Sequence, residues 1–117
     1  MTEAEVVDKL SRLIDADTDP ALTDDDMDDL LAIAARPDTA GRTRADDAWE
    51  PTWDINAAAA EGWLRKASKA VSRFSFQEDG QRFERAQIYA HCIRQNELYA
   101  RKAMGSLTTE TYFGPVD

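Results

Sequence analysis

The chain has 117 residues, with 14 basic and 23 acidic side chains giving a net charge of −9. That length suits a single domain, and the acidic balance argues against a protein whose surface as a whole grips a nucleic-acid backbone. Cys92 is the only cysteine, which excludes an intramolecular disulfide framework.

The acid is unevenly placed. Residues 1–54 hold 16 acids and 5 bases, net −11, whereas residues 55–117 hold 7 acids and 9 bases, net +2. The start of the chain is acidic and amphipathic, without the basic and then apolar pattern of a signal peptide. No apolar run reaches the length of a bilayer span. The expectation is a soluble protein made inside the cell.

Residues 1–14 read as a first helix. Thr2 is placed to cap it, Glu5 completes a capping box, and Val6, Val7, Leu10, Leu13 and Ile14 form an apolar stripe at helical spacing. Residues 15–22 read as a turn, since Pro20 disfavours helix at Asp19. Thr23 opens a second helix to about Ala35, with Asp26 at the box position and Leu22 and Met27 flanking the cap as a hydrophobic staple. Its first-turn acids face the positive end of the helix dipole, and Met27, Leu30, Leu31 and Ala34 supply the buried face.

Residues 37–52 lack periodicity and contain two prolines and a glycine, the pattern of a long loop. Trp49 is an unusual residue for a purely solvated linker. Asp54 caps a third helix to about Arg73, whose expected buried stripe is Ile55, Ala59, Trp63, Ala67, Ala70, Val71 and Phe74. The small residues Ala57 to Ala60 and Gly62 allow a neighbouring helix to approach closely. Residues 74–81 read as a turn around Asp79-Gly80, with room for a short extended piece at 74–76. A fourth helix is expected from about Phe83 to Met104, with Ala86, Ala90, Ile93, Ala100 and Met104 on one face and Gly105 ending it. The last residues, rich in threonine and carrying Leu107, Tyr112 and Phe113, favour an extended arm. The expected fold class is all-α: a small bundle of about four helices over 1–104, a long 37–52 loop, and a C-terminal arm over 105–117.

Little in the chain points to catalysis. Asp15, Asp17, Asp19 and Asp26 fall where a calcium loop places ligands, but Pro20 occupies the position that needs glycine, and Asp26 is shorter than the required glutamate. An acidic loop leading into a capped helix is the simpler reading. His91 and Cys92 are adjacent on a helix, about 100° apart, and no second histidine or cysteine completes a zinc site or a nucleophile–base pair. Phosphate-binding and nucleophile-elbow motifs are missing. No enzyme activity, metal or cofactor is expected. The bases Arg65, Lys66, Lys69, Arg73, Arg82, Arg85, Arg94, Arg101 and Lys102 read as solvated helix faces available to meet the acidic first half, within one subunit or across two.

The segment Trp53-Asp54-Ile55-Asn56-Ala57-Ala58-Ala59-Ala60-Glu61-Gly62-Trp63, then Lys66-Ala67, Phe74, Phe76, Asp79-Gly80-Gln81 and Phe83, resembles a phage family. It is similar to the small helical head–tail adaptor (connector) proteins encoded near the capsid gene in long-tailed phages of actinobacteria. The resemblance covers about residues 53–104 and rests on an Ala-rich helix with Gly-Trp, a short turn, and a helix with Tyr and His in its middle. Ala86 departs from it, where a small polar residue would start the last helix.

The resemblance implies a structural virion protein at the head–tail junction. Such a subunit would form a ring, expected to be a dodecamer, that docks on the portal, receives a stopper or tail-completion protein, and continues the channel through which genomic DNA passes. Leu107, Tyr112 and Phe113 would then anchor an arm, with Trp49 and Trp53 at a portal or neighbour interface. Asp24, Asp25, Asp28, Asp29, Asp46 and Asp47 are candidates to line the channel. The competing reading is an acidic helical interaction protein or a DNA-mimic inhibitor of a DNA-binding enzyme.

Overall fold

The computed structural model describes residues 2–72 and 79–103, the side chains of 79–83 excepted. Within these residues the chain is all-α: α1 (Glu3–Leu13), α2 (Asp24–Ala34), α3 (Ile55–Ser72) and α4 (Asp79–Lys102). The expected arm, with Leu107, Tyr112 and Phe113, lies outside the described residues, as do Phe74, Met104 and Gly105.

Both N-terminal capping boxes form. The Thr2 hydroxyl accepts from the Glu5 N–H at 3.2 Å while the Glu5 carboxylate accepts from the Thr2 N–H at 2.7 Å. Thr23 and Asp26 repeat the exchange at 3.1 and 2.9 Å. Each box satisfies donors that a helix start otherwise leaves without partners. At the end of α1 the Ala16 N–H reaches back to the Ser11 carbonyl at 3.0 Å, and Asp15 adopts φ 48°. This is the geometry of a Schellman stop, with aspartate standing where glycine is usual.

The core gathers one stripe from each helix. Val6, Leu10 and Ile14 from α1 and its end, Leu30 and Ala34 from α2, and Ala58, Ala59, Trp63 and Ala67 from α3 are buried. Gly62 sets how closely the first two helices approach the third. A methyl group placed there would lie 2.9 Å from Ile14 Cδ1 and 3.2 Å from Leu30 Cδ1. The small-residue run on α3 therefore receives α1 and α2 of the same chain, while α4 packs along the α3 flank.

Four expectations need correction. α4 begins at Asp79, not near Phe83, so Asp79, Gly80 and Gln81 belong to the helix and not to a turn. An acid at a helix start is favoured by the dipole, and one glycine in a first turn costs only about 1 kcal/mol, so Asp-Gly was not a breaker. The inner face of α4 is Ile88, Cys92, Ile93, Tyr99 and Ala103, so Ile93 packs as expected whereas Ala86 is exposed. Val71 is 45% exposed, outside the α3 stripe, because α1 and α2 cover α3 from the opposite side. Lys66 is not a solvated base but the largest fully buried side chain.

Replacing Gly62 with alanine gains about 1 kcal/mol of helix propensity but overpacks Ile14 and Leu30, which commonly costs about 1–3 kcal/mol. A net loss near 1 kcal/mol is expected in urea unfolding. A stabilised variant would show that α1 gives way freely at this contact.

Candidate functional site

Two polar constructions organise the molecule. The first is Lys66. Helical spacing from Gly62, Trp63 and Ala70 places it on the buried side of α3, where its Nζ donates to the Ile14 carbonyl at 2.9 Å and the Asp15 carbonyl at 2.6 Å. The same ammonium lies 4.8 Å from the centre of the Trp63 ring. A cation from α3 thus occupies the negative end of α1, and its three N–H groups all find electron density to face. Burial pushes its pKa below the usual lysine value, against the opposing pull of Cys92, Asp15 and Asp19. Cys92, buried on α4, has its thiol pushed up by the same desolvation.

These groups lie at a pocket of about 440 Å³ between the 15–20 turn, α3 and α4, lined by Trp63, Lys66, Ile88, His91 and Cys92 among others. His91 stands edge-on to Trp63 with ring centres 5.3 Å apart. The Trp63 indole N–H is buried and finds no acceptor among the described residues. The amine in this pocket is engaged by two carbonyls and a ring, and the thiol is held protonated by burial. The arrangement stabilises a helix junction. It does not present an activated nucleophile.

The second construction is the 37–52 loop. It leaves α2 and returns to α3 at one point, where Arg36 N–H donates to Thr52 O at 2.9 Å and Asp54 N–H donates to Ala34 O at 2.7 Å. Ala35 and Trp53 make an antiparallel bridge at this neck. The loop closes around the Asp38 carboxylate, which accepts from the N–H groups of Ala40, Arg42 and Glu50 at 3.0, 2.9 and 3.0 Å and from Arg42 Nε at 2.9 Å. Gly41, at φ 82°, makes the turn that aims these N–H groups inward. The Glu50 and Arg42 donors hold the Asp38 carboxyl down at about 2. Sequence reading missed this centre, although Asp38 with glycine three residues later is a turn signature.

Both candidate interface tryptophans sit on this loop and are half-buried. Trp49 Nε1 donates to the Arg36 carbonyl at 2.9 Å, and its ring meets Trp53 edge-on at 5.2 Å. Arg44 links the loop to α1 through Glu3 at 2.9 Å and lies 5.9 Å above the Trp53 ring.

The candidate acids do not converge. Asp24, Asp25, Asp28 and Asp29 are exposed on α2, and Asp46 and Asp47 are exposed on the loop. Asp29 meets Arg65 at 3.1 Å, and Asp46 accepts from the Ala48 N–H at 2.8 Å. The calcium-like pattern does not gather either. Asp26 caps α2 and is held down at about 2 by the Thr23 N–H, with Lys69 and Arg65 assisting, and Asp19 meets Arg85 at 3.0 Å. No group of three or more histidine, cysteine, aspartate or glutamate side chains is placed to hold a metal among the described residues, and no helix is long and apolar enough to cross a membrane. Comparison with family models, curated proteins and solved structures finds no match.

Lys66→Met should cost about 2 kcal/mol at neutral pH, because two carbonyls lose a charged donor. Linkage supplies a second readout. The unfolded chain binds the Lys66 proton more tightly than the folded one, so this group's contribution rises with pH below the usual lysine value. Urea melts should show that rise in wild type and not in the variant.

Asp38 runs the other way. Its stabilisation is complete above the usual carboxylate range and is lost as pH falls toward about 2. Asp38→Asn should destabilise the protein at neutral pH and flatten its acid limb. Equal acid limbs in both proteins would contradict the loop account.

Proposed function

We propose that this chain is a structural, non-enzymatic virion protein, a head-to-tail adaptor subunit that assembles as a ring under the portal. In this reading the ring is a dodecamer, its far face receives a stopper or tail-completion protein, and genomic DNA passes through without specific binding. The protein is present in the host cytoplasm during assembly and at the head–tail junction in the particle.

The observation that carries the reading is the α3–α4 hairpin. The Ala-rich Gly-Trp segment and the Tyr-His helix that carry the adaptor resemblance pack on one another, with the Asn96 side-chain amide donating to the Ala60 carbonyl at 2.7 Å. The polar groups at the one well-formed junction, Lys66 and Cys92, are used for packing, which suits a framework protein. Trp49 on the loop and Trp53 at its neck are half-buried and form an aromatic platform of the kind that interfaces use. Leu107, Tyr112 and Phe113 would supply the arm that reaches the portal. Asp46 and Asp47, exposed on the loop, are suited to line a channel that DNA must slide through.

A second reading, a DNA-mimic inhibitor or other acidic interaction protein, is favoured by one observation. Asp24, Asp25 and Asp28 form an exposed acidic stripe with no cation paired to it among the described residues.

Electron microscopy of particles made with and without the chain separates the two. Heads that are full but tailless, or that have leaked their DNA, are expected without it. Normal tailed particles would end the adaptor reading, and capture of a DNA-binding enzyme in stoichiometric amounts would establish the other.

A further inference from the structure

Two flanks of the molecule carry exposed charge of opposite sign. α2 carries five aspartates and no base along Asp24–Ala34. Asp26 and Asp29 are taken by Arg65 and Lys69 of α3, which leaves Asp24, Asp25 and Asp28 exposed. These three lie roughly 120–160° around the helix from buried Leu30, with Asp24 and Asp28 bordering Leu31. On the other flank, the last turns of α4 present Arg94, Arg101 and Lys102 against the single acid Glu97. Arg94 and Arg101 share one face, about half a turn from buried Cys92, and neither meets a carboxylate among the described residues.

These flanks cannot neutralise each other within one molecule. α2 and α4 both pack on α3 and hardly touch one another. Arg65, which holds α2, and Trp63, which meets His91 of α4, are two residues apart and so project from roughly opposite sides of α3.

The geometry points to a head-to-tail contact between copies of this chain, in which the acidic α2 stripe of one seats on the basic end of α4 of the next. Phosphate is the other anion that a basic flank attracts, but the net −9 of the chain and the exposed α2 acids repel a nucleic-acid strand. A second copy brings the matching charge without that penalty. Such a contact joins two different surfaces, so it repeats, and it closes into a ring when the rotation between neighbours allows. The inference deepens the adaptor reading and rests on it for that closure. It gives the α2 acids to the subunit contact and leaves channel lining to the loop acids.

The test is sedimentation equilibrium of the full chain at low and high salt, where the screening length falls from about 30 Å near 0.01 M to about 3 Å at 1 M. Association at low salt that weakens steeply at high salt is expected. Asp25→Lys with Asp28→Lys makes both flanks basic, and Arg94→Glu with Arg101→Glu makes both acidic. Each double variant alone should associate roughly 100-fold more weakly, from like-charge juxtaposition, with helix content unchanged by circular dichroism. Mixed in equal amounts, the two should associate again, because each then supplies the flank the other lacks.

A wild-type monomer at low salt would overturn the contact, as would association indifferent to salt and to both variants, or a mixture that stays monomeric. The two proposals fail separately. Normal tailed particles without the chain would remove the adaptor reading and leave the contact. A monomer in solution with tailless particles would do the reverse.

Discussion

A single buried ammonium ties the end of α1 to α3. Moving a charge out of water costs several kcal/mol unless polar partners replace its hydration, and Lys66 finds those partners in the final carbonyls of α1 and the face of Trp63. The requirement is mutual. Schellman geometry uses the Ser11 carbonyl, and the Thr18 N–H meets the Asp15 carbonyl at 3.0 Å, while Lys66 supplies the donor for the Ile14 carbonyl and a second one for Asp15. Because α3 delivers that donor, the end of α1 and the register of α3 are fixed against one another, and Gly62 one turn earlier lets the two backbones come close enough for the bonds to form. Cys92 closes the same junction from α4, with its thiol kept neutral in the apolar shell beside the cation.

Around that junction the charge imbalance of the sequence becomes an organised pattern. The excess acid of the first half is partly met inside the molecule: Arg65 reaches Asp26 and Asp29, Lys69 reaches Asp26, and Arg85 reaches Asp19. These pairs are partly exposed, so each contributes at most about 1 kcal/mol. Their larger effect is orientational, since they set which face of α2 turns inward and which acids remain outside. The first-turn acids of α2 do double duty, favoured by the helix dipole whether or not a cation is near.

Much of the fold was legible because local chemistry and global packing agree in its first half. Thr2 with Glu5 and Thr23 with Asp26 announced both helix starts, and the stripes through Leu10 and Leu30 are the stripes that pack. Legibility failed where a residue's type and its position disagreed. Lys66 occupies a buried register position, yet its charge marked it as surface. Only that register, read together with the carbonyls at the end of α1, would have revealed it. The start of α4 was hidden because its polar first turns have no apolar rhythm to set against an Asp-Gly pair. The Asp38 centre was hidden because its donors come from residues up to twelve apart, a closure that periodicity does not encode. The tryptophans singled out, Trp49 and Trp53, proved to be partners of one another.

The neck of that loop has an evolutionary consequence. With Arg36 bonded to Thr52 and Asp54 to Ala34, α2 and α3 are joined as though by a short hairpin, whatever lies between. Lengthening a loop whose ends are already held costs little, since closure entropy grows only slowly with length. The stretch between Pro37 and Thr52 can therefore take insertions at little cost, provided the Asp38 closure is kept. It is a cassette on a fixed mount, and the place where descendants of this chain can add sequence without relearning how to fold.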